Sequence, residues 1–443
     1  MTEQNNNIPE GSKMTELGAL PKEWKVVKLI NVATSNSDIV GGPFGSNLKV
    51  SDYMASGIPI IRLQNIERNR FINKEIKFIS KEKADELKYH SFSAGDIVLA
   101  KLGDPIGKTC IVPYDLVEGI VVADVVRIRT NPTVTDKNYL VYALNTDLCE
   151  DQFRSQKTGT TRPRVNVSNV RNLNIPLAPI VEQKEIARVL SAIKKAVEAQ
   201  DKIIAAAREL KKSLMHHLFN YGPVSVTEAE KVPLKETEIG PVPEHWEVVR
   251  LGELGEIITG TTPSTKVAEY YGELHMFITP GDIYQTKYIA KTQKYLSDKG
   301  LSVSRPLPRD TVLVVCIGAT IGKTAMTSVN DSVTNQQINS IITNLRTEPN
   351  YCFYAVTHYS QLLPALAGRV AIPIVNKSNF SKFLIPLPPI SEQQKIASTL
   401  SIVDNKIESE ENRKAALQAL FKTMLHHLMT GKVRVKEMEA HVS

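Results

Sequence analysis

The stretch Ile175-Pro176-Leu177-Ala178-Pro179-Ile180-Val181-Glu182-Gln183 returns as Ile385-Pro386-Leu387-Pro388-Pro389-Ile390-Ser391-Glu392-Gln393, 210 positions later. In both places an apolar run stopped by proline hands over to a segment of roughly 38 residues without Pro or Gly. Pro179 and Pro389 end the preceding strand, and Glu182 and Glu392 suit the positive end of a helix dipole. Ile186, Leu190, Ile193, Val197 and Ile204 fall at heptad-like steps, with one weak layer at Gln200; Ile396, Leu400, Val403 and Ile407 repeat the pattern. Leu210, Leu214 and Leu218, and then Leu420, Met424 and Leu428, continue an apolar stripe in a shifted frame. A helix of this length spans about 57 Å, and one apolar stripe along it needs a partner. The other copy carries the same stripe, so the two helices are predicted to pair as an antiparallel coiled coil. That pairing sets the globular parts at opposite ends with pseudo-twofold symmetry.

The rest of the chain is also written twice. Thr15, Glu16, Gly18, Pro21, Trp24 and Leu29 recur as Thr237, Glu238, Gly240, Pro243, Trp246 and Leu251, at an offset of 222. The two tryptophans of the chain are thus a matched pair. The offset falls to 210 by the helices, so the second copy is shorter within its globular part. Runs such as Ile58–Ile61, Asp96–Ala100 and Thr311–Ile317 read as short strands, and Tyr139–Leu144 as the start of a short helix. The fold class is α+β: two tandem globular domains, each followed by a long helix. The expected divisions are a disordered tail at 1–13, a domain at 14–178, a helix at 179–220, a linker at 221–235, a second domain at 236–388, a second helix at 389–430 and a tail at 431–443.

A chain of 443 residues, 42% hydrophobic, has material for sizeable cores. Its net charge of +7 leans toward a polyanionic partner. Cys110, Cys149, Cys316 and Cys352 are scattered, which argues against a zinc site and for reduced thiols in the cytoplasm. The polar N-terminus is no signal peptide, and no apolar run reaches membrane-spanning length, so no membrane is expected.

The sequence carries no recognisable catalytic constellation. Gly103–Thr109 and Gly318–Thr324 are one residue short of a phosphate-binding loop and read as glycine turns ending a strand. His216-His217 and His426-His427 point about 100° apart on a helix, which does not suit one metal ion. The chain is therefore expected to carry no catalytic residue, no metal and no cofactor of its own.

What remains is a set of polar and basic loops at matching places. In the first copy they supply Ser46, Asn47, Arg62, Gln64, Asn65, Lys101, Lys108, Arg162 and Arg164; in the second, Thr261, Thr262, Lys266, Lys323, Gln336, Gln337 and Arg369. These are side-chain types that hold phosphates and read base edges in double-stranded DNA. Gly42, Pro43 and Gly45 are expected to shape a turn rather than touch a base.

Gly42-Pro43-Phe44-Gly45-Ser46, together with the doubled Pro-Leu-x-Pro-Ile-x-Glu-Gln segment opening a long helix, resembles the DNA-specificity subunit of type I restriction-modification enzymes, over residues 14 to 430. The resemblance implies that each globular part is a target-recognition domain for one half of a split, asymmetric site. It also implies that the helices are spacers that set the distance between half-sites. By the same resemblance, two modification subunits methylate adenine with S-adenosylmethionine, and two motor-nuclease subunits restrict DNA with ATP and Mg. The rival expectations are a specificity subunit of a methylation-only system and a coiled-coil scaffold that binds no DNA.

Overall fold

The computed structural model describes residues 9–159, 163–284, 286–367 and 372–435. The chain forms two compact units, Met1–Ala199 with Lys414–Ser443, and Gln200–Arg413. The division falls inside both long helices, Ile180–Tyr221 and Ile390–Met429. Each unit therefore holds one globular domain, the first half of the helix that follows it and the second half of the other helix.

In unit 1 the central strands are short and β-branched because both of their faces are covered. Ile97–Ala100 and Val125–Ile128 are buried at every position and pair antiparallel. They lie between the strands Thr109–Ile111 and Ile39–Gly41 in one four-stranded sheet. A second sheet runs in the order Lys77–Ile79, Ile58–Ile61, Glu118–Val121, Ser91–Ser93, with one parallel pair between Ile58–Ile61 and Glu118–Val121. Unit 2 repeats this plan. Val312–Val315, buried throughout, sits inside a five-stranded sheet, and His275–Ile278 pairs parallel with Val333–Thr334 in a four-stranded one. The fold is α+β, as the sequence predicts.

The doubled segment has a specific structural task in each unit. Asn174–Leu177 pairs with Lys25–Lys28, and Leu384–Leu387 with Glu247–Arg250, so the strand before each long helix is held by the strand after its tryptophan. Trp24 and Trp246 are fully buried. Their indole N–H groups donate to Glu182 Oε2 at 3.0 Å and Glu392 Oε2 at 2.9 Å. Gln183 and Gln393 are buried too. Gln183 accepts from the Asp136 backbone N–H at 2.9 Å and donates to Ala178 O at 2.8 Å; Gln393 accepts from the Glu348 N–H and donates to Pro388 O, both at 2.9 Å. Each Glu-Gln pair therefore stitches the long helix to the tryptophan and to the start of a short helix, Lys137–Leu144 or Pro349–Tyr359. A buried indole or amide left without these partners would cost about 1–3 kcal/mol.

Within each unit the two helix halves pack together. In unit 1, Ile186, Ala187 and Leu190 share a core with Leu428 and Met429. In unit 2, Leu218 and Phe219 share one with Ile396, Ala397 and Leu400. The unit 2 halves run antiparallel, since Gln200 bonds Glu410 while Lys211 pairs with Asp404 at 2.6 Å. Ile204 and Val403 are buried, and Ile193, Val197 and Ile407 are half-buried.

Three expectations need correction. Leu210 and Leu420 are 53% and 46% exposed. The covered face steps through positions 200, 204, 207, 211, 214 and 218, and likewise 410, 414, 417, 421, 424 and 428, so Lys211 and Phe421 take the inward places. The tail expected at 431–443 is packed as far as residue 435, where Val433 and Val435 join the core around Trp24. Ser12–Thr15 is a strand paired with Gly18–Pro21, so order begins inside the tail expected at 1–13; residues 1–8 and 436–443 lie outside the described residues.

Candidate nucleic-acid interface

In unit 1 the predicted loops converge on the turn Val122–Val125. The Val122 N–H donates to Ile61 O at 3.1 Å, which brings the following Arg62 to this turn. The Gly42 N–H donates to Val125 O at 2.9 Å, which starts the Pro43–Asn47 loop there. A Cβ on Gly42 would lie 2.1 Å from Val122 O, so glycine is required for this close approach. Pro43 and Leu48 are buried while Phe44 to Asn47 are exposed, so Ser46 and Asn47 sit on an anchored projecting turn. The Lys101 N–H donates to Asp124 O at 2.9 Å, and Arg164 Nη2 lies 3.4 Å from Asp124 Oδ1. Burial lowers the Lys101 ammonium from its ordinary pKa; Asp124 opposes that shift and Arg164 adds to it. A partly desolvated lysine beside an arginine is a place where an incoming anion is strongly favoured.

Other predicted residues have different duties. Asn65 is fully buried; its oxygen accepts from the Arg62 N–H at 3.0 Å, and its amide donates to Ile72 O and Lys74 O. It is a loop-closing residue and not a surface reader, which corrects the sequence expectation: an Asx cap and a base-reading amide look alike until the surroundings are known. Arg62 donates to Glu75 O at 2.7 Å, and Gln64, with its amide turned so that the oxygen accepts, receives from Arg62 Nη2 at 2.6 Å. Lys108 is paired with Glu67 at 2.8 Å. Arg162 and Arg369 lie outside the described residues.

Unit 2 builds the same platform with different chemistry. Asn335–Ile338 takes the place of the Val122–Val125 turn, closed by the Ile338 N–H on Asn335 O at 3.2 Å. The Asn335 N–H donates to Ile278 O at 3.1 Å, the Thr261 N–H to Thr334 O at 2.9 Å and the Cys316 N–H to Gln337 O at 2.8 Å. Thr262 Oγ1 donates to Gln336 Oε1 at 2.5 Å, and Asn335 Nδ2 to Gln337 Oε1 at 3.0 Å. The buried hydroxyls of Thr261 and Thr334 have no hydrogen-bond partner among the described residues. Where unit 1 presents Lys101, Asp124 and Arg164, unit 2 presents Cys316, Gln337 and Ile374: the Gly103 N–H bonds Pro163 O and the Gly318 N–H bonds Pro373 O, which fixes the correspondence. Lys266 and Lys323 are exposed on neighbouring turns.

Asp124 and Arg305, which donates to Thr259 O at 2.8 Å, belong to these platforms and were not singled out from the sequence. Nothing local marks them; only the long-range pairing of strands brings them in. The glycine turns behave as the spacing suggests, with Gly103, Gly107, Gly318 and Gly322 all at positive φ. His217 Nε2 bonds Val224 O at 2.8 Å, and no cluster of three metal-binding side chains occurs among the described residues.

Comparison with known proteins adds a family. The model of the type I restriction modification DNA specificity domain matches residues 21–208 and again 243–419. The chain is 27% identical over 436 residues to the type I restriction enzyme MjaVIII specificity subunit of Methanocaldococcus jannaschii, covering 95% of each chain. Its fold is similar to the S subunit of a type I restriction-modification system from M. genitalium, with TM-score 0.57 and 14% identity, covering 96% of this chain and 98% of that one. It is also similar to a chain from a structure of complex assembly and conformational transition in a type I R-M system, with TM-score 0.53 and 20% identity over 94% and 99% of the two chains.

Proposed function

The chain belongs to the type I restriction modification DNA specificity family, and from that we propose how it divides its labour. Its task is DNA sequence recognition as a specificity subunit; in our reading it performs no bond-making step. Each globular domain reads one half of a split, asymmetric site in double-stranded DNA, and the paired helices set the spacer between the halves. Two modification subunits methylate adenine with S-adenosylmethionine at the site so chosen, and two motor-nuclease subunits use ATP and Mg to restrict DNA that lacks the mark.

One observation carries the reading. Two platforms of the same backbone plan present unlike side chains, Lys101 and Arg164 on one and Gln336 and Gln337 on the other. The shared plan supports the same docking mode, and the unlike side chains support different half-sites. Lysine and arginine supply phosphate affinity, while amides and arginine forks discriminate base edges by about 1–3 kcal/mol per good bidentate contact.

The test is to replace residues 22–178 with the corresponding domain of another family member and to map the bound or methylated site. The expected result is a change in one half-site with the other half and the spacer intact. A change in both halves would contradict the division.

A further inference from the structure

The two recognition domains stand on helices that are alike in backbone but differ at the residues beneath them. One such difference lies under two matched tyrosines, Tyr142 and Tyr354. In unit 1, Tyr142 OH meets Ser191 at 3.0 Å and its ring packs edge-on against Phe421 at 6.0 Å between centroids. Lys194, from the helix, reaches up and donates to the Asn69 backbone carbonyl of the domain. Beside it a cavity of about 310 Å³ stays open, lined by Arg70, Tyr142, Lys194 and Glu198 among others.

In unit 2, Tyr354 OH meets Ser401 at 3.2 Å in the same way. The positions of Lys194 and Phe421, however, are taken by Asp404 and Lys211, 210 residues away in each case. Asp404 accepts from Tyr354 OH at 2.7 Å and pairs with Lys211 at 2.6 Å. The bridging lysine now comes from the domain: Lys287 reaches down, donates to Ser401 at 3.2 Å and lies 4.9 Å from the centre of the Tyr354 ring. Burial lowers the Lys287 ammonium from its ordinary value, and the Asp404 carboxylate acts against that shift.

We infer that each recognition domain is keyed to its own helical seat, by a Lys194–Phe421 seat for the first domain and an Asp404–Lys211 seat for the second. The chemistry makes the seats mutually exclusive. On the first seat the Lys287 ammonium would meet Lys194, like charges in a half-buried site where the Glu198 carboxylate, 3.7 Å from the Lys194 ammonium, is already engaged. On the second seat the Asn69 carbonyl would face the Asp404 carboxylate, two acceptors without a proton between them. The order of the two domains along the chain is thus written into the helices as well as into the domains.

The experiment uses two full-length chains. In the first, residues 22–178 and 244–388 are transposed and nothing else is changed. In the second, the same transposition carries K194D, K211F, D404K and F421K. Amide hydrogen exchange across Pro349–Tyr359, the helix bearing Tyr354, is read in both and in the native chain. The expected result is exchange about tenfold faster in the plain transposition and a return to native protection in the chain with the four changes. Native protection in the plain transposition would overturn the inference, because the seats would then be interchangeable. Fast exchange in both would overturn it as well, because these four residues would then not be the key. The readout needs no DNA, so it stands or falls separately from the reading of the half-sites.

Discussion

The side-chain amide of Gln200 donates to the Glu410 carboxylate, and the two residues occupy the same place in the two copies of the repeat. Both are buried where an apolar layer is expected, and Lys406 donates to the other oxygen of Glu410. The Lys406 and Gln200 hydrogen bonds together hold the Glu410 carboxyl below the usual carboxylate range. A matched polar layer of this kind selects one register, because sliding either helix by a turn would bury the amide and the carboxylate against apolar neighbours.

E410L should therefore lower the melting temperature, since it leaves the Gln200 amide buried and unpaired. Q200L/E410L should recover most of the loss or exceed the native value while loosening the register. Calorimetry of the single and double variants checks the direction, and the double variant is expected to bind sites with more than one spacer length.

Arg434 bonds both oxygens of Glu182, at 2.7 and 3.0 Å, while Glu182 also receives the Trp24 indole. In unit 2 the partner of the matching Glu392 is His245, at 2.9 Å. Truncation after Lys432 should thus destabilise unit 1 and spare unit 2. E182A should cost about 1–3 kcal/mol by stranding the buried indole N–H. Hydrogen exchange at the two tryptophan-bearing segments separates the two cases.

K101A should weaken DNA binding for every sequence alike and reduce the slope of log K against log salt by about 0.9. Q336A/Q337A should relax the choice of base in the second half-site by about 1–3 kcal/mol and leave the first untouched. Binding titrations at several salt concentrations, on matched and mismatched duplexes, test both.

His358 stacks on Phe219 with ring centroids 4.9 Å apart. Burial, aided by nearby His216, lowers its pKa from the ordinary 6.5. The folded state then binds fewer protons than the unfolded state below that ordinary value, so stability is complete above it and falls as the pH drops toward the depressed folded value. The melting temperature should decline as the pH falls below the ordinary histidine value of 6.5, and H358F should flatten the decline.

The long helices, their start at the Pro-Pro or Ala-Pro step and the α+β class were legible because they rest on local signals: proline, heptad spacing and short β-branched runs. The inward place of Lys211, the cap role of Asn65 and the docking of Arg434 were not. Each depends on which distant segment lies opposite, at separations such as the 252 residues between Glu182 and Arg434. Likewise Asp124 looks like any loop aspartate until strand pairing sets Lys101 and Arg164 around it.

The most direct test of the central claim is to map modified adenines by long-read sequencing in cells with and without this gene, partner subunits present in both. The account predicts a split, asymmetric methylated motif that vanishes with the gene, and one half of which changes when residues 22–178 are exchanged. An unchanged methylome on deletion, in cells where the modification subunits are active, would contradict it.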